Sequence, residues 1–224
     1  MDDGRAKRLQ ARARSLLGPG VAVSYCLIGR ADGQLLAAEE RAMARAVPAR
    51  RAEFAAGRQA ARAAMAALGH DGAAIPMGAD RAPVWPAGLT GSITHAGGLA
   101  LAAIAPVGAS QGLGLDLEGD TPMAEDLWPT ILRPDERDWL ATQPAHHRQH
   151  LAKRMFSAKE ACYKAQYARS NTLLDFHDIS IAYTDSSTAF SAHFHRTIPG
   201  FAQGTILHGQ QESTGAMILS TLRI

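Results

Sequence analysis

Two stretches restrict the fold more than any others. "ARRAEFAAGRQAARAAMAALG" (49–69) and "KRMFSAKEACYKAQYA" (153–168) carry clear helical periodicity, and segments with the period of strands lie around both. The first is alanine-rich, sets Phe54, Ala61, Met65 and Leu68 at near-helical spacing and stops at Gly69. "VAVSYCLIG" (21–29), "LALAAIAP" (99–106) and "GLGLDLE" (112–118) read as strands. In the tail, 178–184, 189–194, 204–209 and 215–224 alternate as an antiparallel meander would. The Gly- and Pro-dense stretch 69–91 reads as a loop, and Asp135, just after Pro134, is placed to cap a short helix. This combination predicts an α+β fold. "FAAGRQAARA" (54–63) and "FSAKEACYKA" (156–165) share Phe, Ala and a basic residue (Arg62, Lys164) at equal spacing. The echo suggests two similar α+β halves, 1–110 and 111–224, in one compact two-lobed unit.

A length of 224 residues suits one substantial domain or two small ones. Formal net charge is +2, which gives no global nucleic-acid footprint. The basic opening (Arg5, Lys7, Arg8, Arg12, Arg14) reads as a solvated helix or frayed tail and lacks the apolar core of a secretory signal. The longest apolar run, 99–107, is far too short to cross a bilayer. Cys26 and Cys162 form no metal-type pair and suit reduced, buried thiols, so a cytoplasmic protein without membrane or nucleic-acid contact is expected.

In "GLGLDLE" the leucines would face a core while Asp116 and Glu118 project together from the other face, their Cα atoms ~6.6 Å apart. Either this is an antiparallel strand with one wet face, or both acids hold a divalent cation. Glu160 and Lys164, one helical turn apart, share a face. Alone they are an ordinary surface pair; with Asp116 and Glu118 they complete three hard oxygen ligands and a cation, as phosphoryl-type transfer needs. Upstream, "GSITHAGG" (91–98) sets His95 at a strand mouth, and "DRAPVWPAG" (80–88) holds Arg81 in a rigid turn. Arg50, Arg51 and Arg58 follow one another on the first long helix, Arg51 and Arg58 sharing a face. Arginines on one side and acids on the other suit a metal-bound polyphosphate. "HHRQH" (146–150) has no carboxylate placed beside it and reads as a solvated surface cluster.

Taken in order, "RRAEFAAGR", "RAP", "GSITH", "GLDLE", "ILRPDERDWL" and "FSAKEACYK" resemble the motif series of the 4′-phosphopantetheinyl transferases. The likeness is to the larger, monomeric type associated with siderophore, peptide and polyketide synthesis. It runs from about 49 to 165. The resemblance implies two α+β halves about a pseudo-two-fold with coenzyme A in a cleft between them. It also implies Mg²⁺ on Asp116, Glu118 and Glu160, and Lys164 near the transferred phosphate, Lys159 belonging to the same signature. Arg81, Ala82, Pro83, Thr94 and His95 match coenzyme-binding positions, with His95 near the 3′-phosphate. Arg58 and one of Arg50 or Arg51 match further phosphate contacts, and Thr94 stands where the family often has serine. The implied reaction moves the phosphopantetheine arm of coenzyme A onto a serine of an apo acyl or peptidyl carrier protein and releases adenosine 3′,5′-bisphosphate. Glu160, or a metal-bound water it orients, is the base. Other readings are a different Mg²⁺-dependent phosphotransferase or nuclease, and a non-catalytic coenzyme- or carrier-binding module.

Overall fold

Two antiparallel sheets, each carrying a long helix, make up the α+β architecture of the computed structural model, which describes residues 1–29, 34–183, 188–214 and 216–224. Thr184 and Gly215, at the ends of two predicted strands, lie outside the described residues. The chain divides into two compact units, Met1–Gln111 and Gly112–Ile224. Among the described residues no helix is long and apolar enough to cross a membrane.

In the first unit the basic opening is a helix, α1 (Asp3–Leu17), because Asp2 caps it by accepting from the Arg5 amide at 2.8 Å and Ala6, Leu9, Ala13 and Leu17 form one buried stripe. Strand β1 (Ala22–Leu27) and the short α2 (Ala37–Glu40) lead to α3 (Pro48–Ala67), which starts on a proline as helices favour. Strands β2 (Leu89–Ala96) and β3 (Leu99–Pro106) form a hairpin through Gly97 and Gly98, both at positive φ, and the sheet order is β1-β3-β2. The predicted loop therefore ends too late: Leu89–Gly91 already belong to β2. Gly91 is strand rather than turn because a Cβ there would meet Ile104, the Ala103 carbonyl and Trp85, so glycine marks close packing.

The second unit runs β4 (Leu113–Gly119), α4 (Trp128–Ile131), α5 (Pro134–Thr142), α6 (Ala145–Ser170), β5 (Ile179–Tyr183), β6 (Ala189–Phe194), β7 (Ile206–Ser213) and β8 (Met217–Arg223). Its sheet order is β4-β8-β7-β6-β5, all antiparallel. Three expectations need correction. Asp135 is not the cap of α5; the Glu136 carboxylate takes the Arg133 amide at 2.8 Å instead. Helix α6 begins at Ala145, so the polar histidine run lies within its first turns. And His150 has a carboxylate beside it, Asp120 Oδ1 at 3.0 Å from Nδ1, while His146 and His147 are exposed. Cys26 and Cys162 are both buried thiols, and burial pushes the Cys162 thiol up to about 12.

The β4–α6 contact sets the geometry of the site. A Cβ on Gly112 would lie 2.2 Å from the Ala165 carbonyl oxygen, and one on Gly114 would lie 1.9 Å from that of Ala161. Asp116 then meets Ser157, and Glu118 meets Lys153. Two residues of strand advance about 6.6 Å and four of helix about 6.0 Å, so β4 and α6 match pair by pair in opposite directions. The glycines remove side chains at one end of this ladder, which lets the helix backbone approach; the acids occupy the other end.

Candidate functional site

That ladder overturns the wet-face reading of β4. Asp116 is only 3% exposed, because α6 covers the face that alternation alone leaves open. Its Oδ1 accepts from Lys164 Nζ at 2.6 Å and its Oδ2 from Ser157 Oγ at 2.8 Å. Lys164 Nζ also reaches the Leu115 carbonyl at 3.3 Å. Burial works against the Lys164 charge, yet Asp116 and Glu160 outweigh it and hold the ammonium above its ordinary value. Two residues along β4, Glu118 Oε2 accepts from Lys153 Nζ at 2.6 Å.

Glu160 sits one turn before Lys164 and is half-buried. Burial lifts its carboxyl above the usual carboxylate range; Lys164 opposes the shift, and Asp116 and Glu118 add to it. Such mutual influence places the three acids in one electrostatic neighbourhood. As they stand, no three His, Cys, Asp or Glu side chains among the described residues are gathered to hold a metal ion. Lysines instead neutralise two of the acids. The donor chemistry still fits a hard cation: three carboxylates face two ammoniums, one charge short of balance, and both ammoniums are in contact with the acids of β4.

Lys159, next in the chain, points elsewhere. Its Nζ pairs with Glu136 Oε2 at 2.7 Å and donates to the Ile131 and Phe176 carbonyls, both at 2.8 Å. Glu136 in turn accepts from the Ile181 amide at 2.7 Å. The signature lysine is thus a buried strut joining α6 to α4, α5, β5 and the segment before it. Above that strut opens a cavity of about 310 Å³, lined by Glu160 together with Tyr163, Leu173, Leu174 and Phe176. Its lining is mostly apolar, with Lys159 and the acids Glu160 and Asp175 beside it.

In the first unit, the structure brings Arg50 and His95 together: Arg50 Nη1 lies 3.0 Å from His95 Nε2 and 3.2 Å from Glu53 Oε2. A guanidinium only donates, so His95 Nε2 accepts here and the ring proton is on Nδ1. His95 projects from the exposed face of β2 and its neighbour Thr94 from the buried one. Arg51 turns to Glu40, at 2.6 Å. Arg58 is buried, donates from Nε to the Ile75 carbonyl at 3.0 Å and lies over the Phe54 ring at 3.8 Å; burial lowers its guanidinium to about 10. Arg81 sits at positive φ in a tight turn closed by the Gly78 amide on the Ala82 carbonyl and a bridge between Met77 and Pro83. Asp80 fixes that turn by accepting from the Ala82 amide at 3.0 Å.

Sequence reasoning missed Lys153 and Ser157, the two side chains that cap the acids of β4. The spacing Lys153, Ser157, Ala161, Ala165 was a visible signal, since residues four apart share a helix face.

Comparison with known proteins bears on this geometry. The family model of the 4′-phosphopantetheinyl transferase N-terminal domain matches residues 38–105, and that of the 4′-phosphopantetheinyl transferase superfamily matches residues 112–214. The 4′-phosphopantetheinyl transferase Npt of Nocardia iowensis is 32% identical over 209 residues, which cover 92% of this chain and 90% of that protein. The 4′-phosphopantetheinyl transferase Svp of Streptomyces mobaraensis is 38% identical over 168 residues, 74% of this chain and 68% of that one. Enterobactin synthase component D of Salmonella typhimurium is 37% identical over 158 residues, 68% and 62% of the two chains.

Proposed function

The chain belongs to the 4′-phosphopantetheinyl transferase family, enzymes that transfer phosphopantetheine to carrier proteins, and on that premise we propose that it takes the arm from coenzyme A in a Mg²⁺-dependent reaction. The acceptor is a serine hydroxyl of an apo acyl or peptidyl carrier protein. Its oxygen attacks the phosphorus that bears pantetheine, the P–O bond to the adenosine half breaks, and adenosine 3′,5′-bisphosphate leaves. Similarity to an enterobactin synthase component supports a carrier from siderophore or peptide synthesis.

The observation that carries this reading is the neighbourhood of Asp116, Lys164, Glu118 and Glu160 beside an apolar cavity. Asp116, Glu118 and Glu160 would hold Mg²⁺, which when bound neutralises the pyrophosphate and stabilises charge on the leaving group. Lys164, held charged by its two acids, orients and balances the transferred phosphate. Glu160, or a metal-bound water that it orients, would take the serine proton. The cavity lined by Tyr163, Leu174 and Phe176 suits the pantetheine arm and keeps water from it. On the first unit, Arg50 and His95 take the 3′-phosphate, an anion replacing the direct contact between the two bases. Arg81, Ala82 and Pro83, presented by the tight turn, contact the adenosine portion, and Arg58 and Thr94 support these contacts from buried positions.

Incubation with coenzyme A, Mg²⁺ and several apo carrier domains, followed by weighing of the carriers, tests the proposal. Gain of one phosphopantetheine on a carrier serine supports it. Unmodified carriers throughout, or turnover of nucleotides without coenzyme A, refute it.

A further inference from the structure

Asp116 ends a buried chain of polar groups that crosses the sheet. Asp116 on β4 lies opposite Ser220 on β8, and Ser220 lies opposite Gln211 on β7. Ser157 reaches down from α6 into the same row. Gln211, Ser220 and Ser157 are each 0% exposed, so every polar atom among them must find its partner within the protein.

Donor counting fixes the direction of the chain. Gln211 Oε1 accepts from Arg154 Nε at 2.8 Å and from the Tyr183 hydroxyl at 3.1 Å. A guanidinium cannot accept, so the amide orientation is set and Gln211 Nε2 faces the other way. Nε2 donates to the Arg154 carbonyl and to Ser220 Oγ, both at 2.8 Å. Ser157 has one hydroxyl proton, and the Asp116 carboxylate, an acceptor only, takes it. Across the 2.7 Å contact between the two serines, Ser220 must therefore be the donor. One Gln211 amide proton and both serine hydroxyl protons thus point towards Asp116 Oδ2, and such aligned bonds polarise and reinforce one another.

We propose that Gln211, Ser220 and Ser157 are positioning residues for the transfer: their one-way chain fixes Asp116 Oδ2 and leaves Oδ1, which Lys164 holds without the ion, to the cation. The carboxylate cannot rotate without leaving Ser157 unpaired in a buried site. This inference rests on the function proposed above, in which Asp116 holds Mg²⁺. Ser157 sits within the helix signature, whereas Ser220 and Gln211 lie far along the chain, where only the sheet register aligns them.

Titration of the protein with Mn²⁺ in the presence of coenzyme A and the absence of carrier, followed by calorimetry, reads the chain without turnover. Ser157→Ala should weaken binding of the ion about tenfold, as loss of a partner behind a metal ligand commonly does. Ser220→Ala, which removes a hydroxyl bonded to Ser157, should weaken it less, and Ser157→Thr should restore it towards the unaltered chain. Coenzyme binding without a divalent ion should not change. Ion binding as tight in S157A and S220A as in the unaltered chain, with only a lower melting point, overturns the proposal and leaves the transferase reading standing. Should S157A fail to fold, S220A alone decides between these results. Absence of any ion binding by the unaltered chain overturns both.

Discussion

Replacing Gly114 with alanine tests the β4–α6 ladder at its closest point. The added Cβ would sit 1.9 Å from the Ala161 carbonyl oxygen, whereas ordinary contact begins near 3.4 Å, so strand and helix must separate by about 1.5 Å. Backbone meets side chain here, and no flexible group can turn aside. Overpacking of that kind costs typically 1–3 kcal/mol, and the obstacle being backbone places G114A at about 3 kcal/mol. For a chain of this length that lowers the melting point by roughly 6–12 °C. The larger effect falls on chemistry. Lys164 and Ser157 ride on α6 and reach Asp116 at 2.6 and 2.8 Å, so the displacement pulls both beyond hydrogen-bond range. Misplacement by about 1 Å can cost 10²-fold in rate, and G114A should lose at least about that much in kcat. Urea unfolding and transfer to a carrier at saturating coenzyme A are the assays. Gly108→Ala is the control, since nothing lies within 4 Å of a Cβ at that position. A G114A protein that matches the G108A control in both stability and kcat would show that the close approach is not what aligns the site.

Other consequences follow from buried charge. Lys159→Met should destabilise by about 3–5 kcal/mol, because it leaves the buried Glu136 carboxylate without its counter-ion, and a second change, Glu136→Leu, should recover much of this; equal stability of K159M and the unaltered chain in urea would disprove the strut. Burial lifts the Glu160 carboxyl, so the folded state binds that proton more tightly than the unfolded chain does. The stability linked to Glu160 is therefore full below about 4.5 and falls as pH rises towards the lifted value. Without divalent ions, Glu160→Gln should melt higher than the unaltered chain at neutral pH and equally at acid pH, while abolishing transfer; a lower neutral melting point would contradict the assignment. Cys162, with its thiol pushed up to about 12, should resist alkylation at neutral pH until the protein unfolds, which mass spectrometry after brief iodoacetamide treatment would read.

Strand and helix periodicity revealed the two long helices and most of the sheet, because each buries one stripe or face. The misreadings share a cause. Gly91 looks like punctuation in one dimension, yet it is a strand glycine that admits a neighbour, and only packing distinguishes the two uses. Asp116 reads as solvated because alternation cannot show that α6 lies over it. Polar 145–151 hid the start of α6, where helix continuity outweighs a weak apolar pattern. At the site, the acids, Lys164, Arg50 and His95 were visible as residue types at suggestive spacing. The Lys159–Glu136 strut and the Gln211–Ser220–Ser157 row were not, since both depend on pairings between distant segments.

In the function proposed, Asp116, Glu118 and Glu160 share one divalent cation next to bound coenzyme A, which displaces the lysines that now neutralise the first two. Crystals grown with coenzyme A and Mn²⁺, measured at a wavelength where manganese scatters anomalously, test it directly. One strong peak within coordination distance of all three carboxylates is expected. A peak elsewhere, or none while Lys153 and Lys164 keep their present partners, would contradict it.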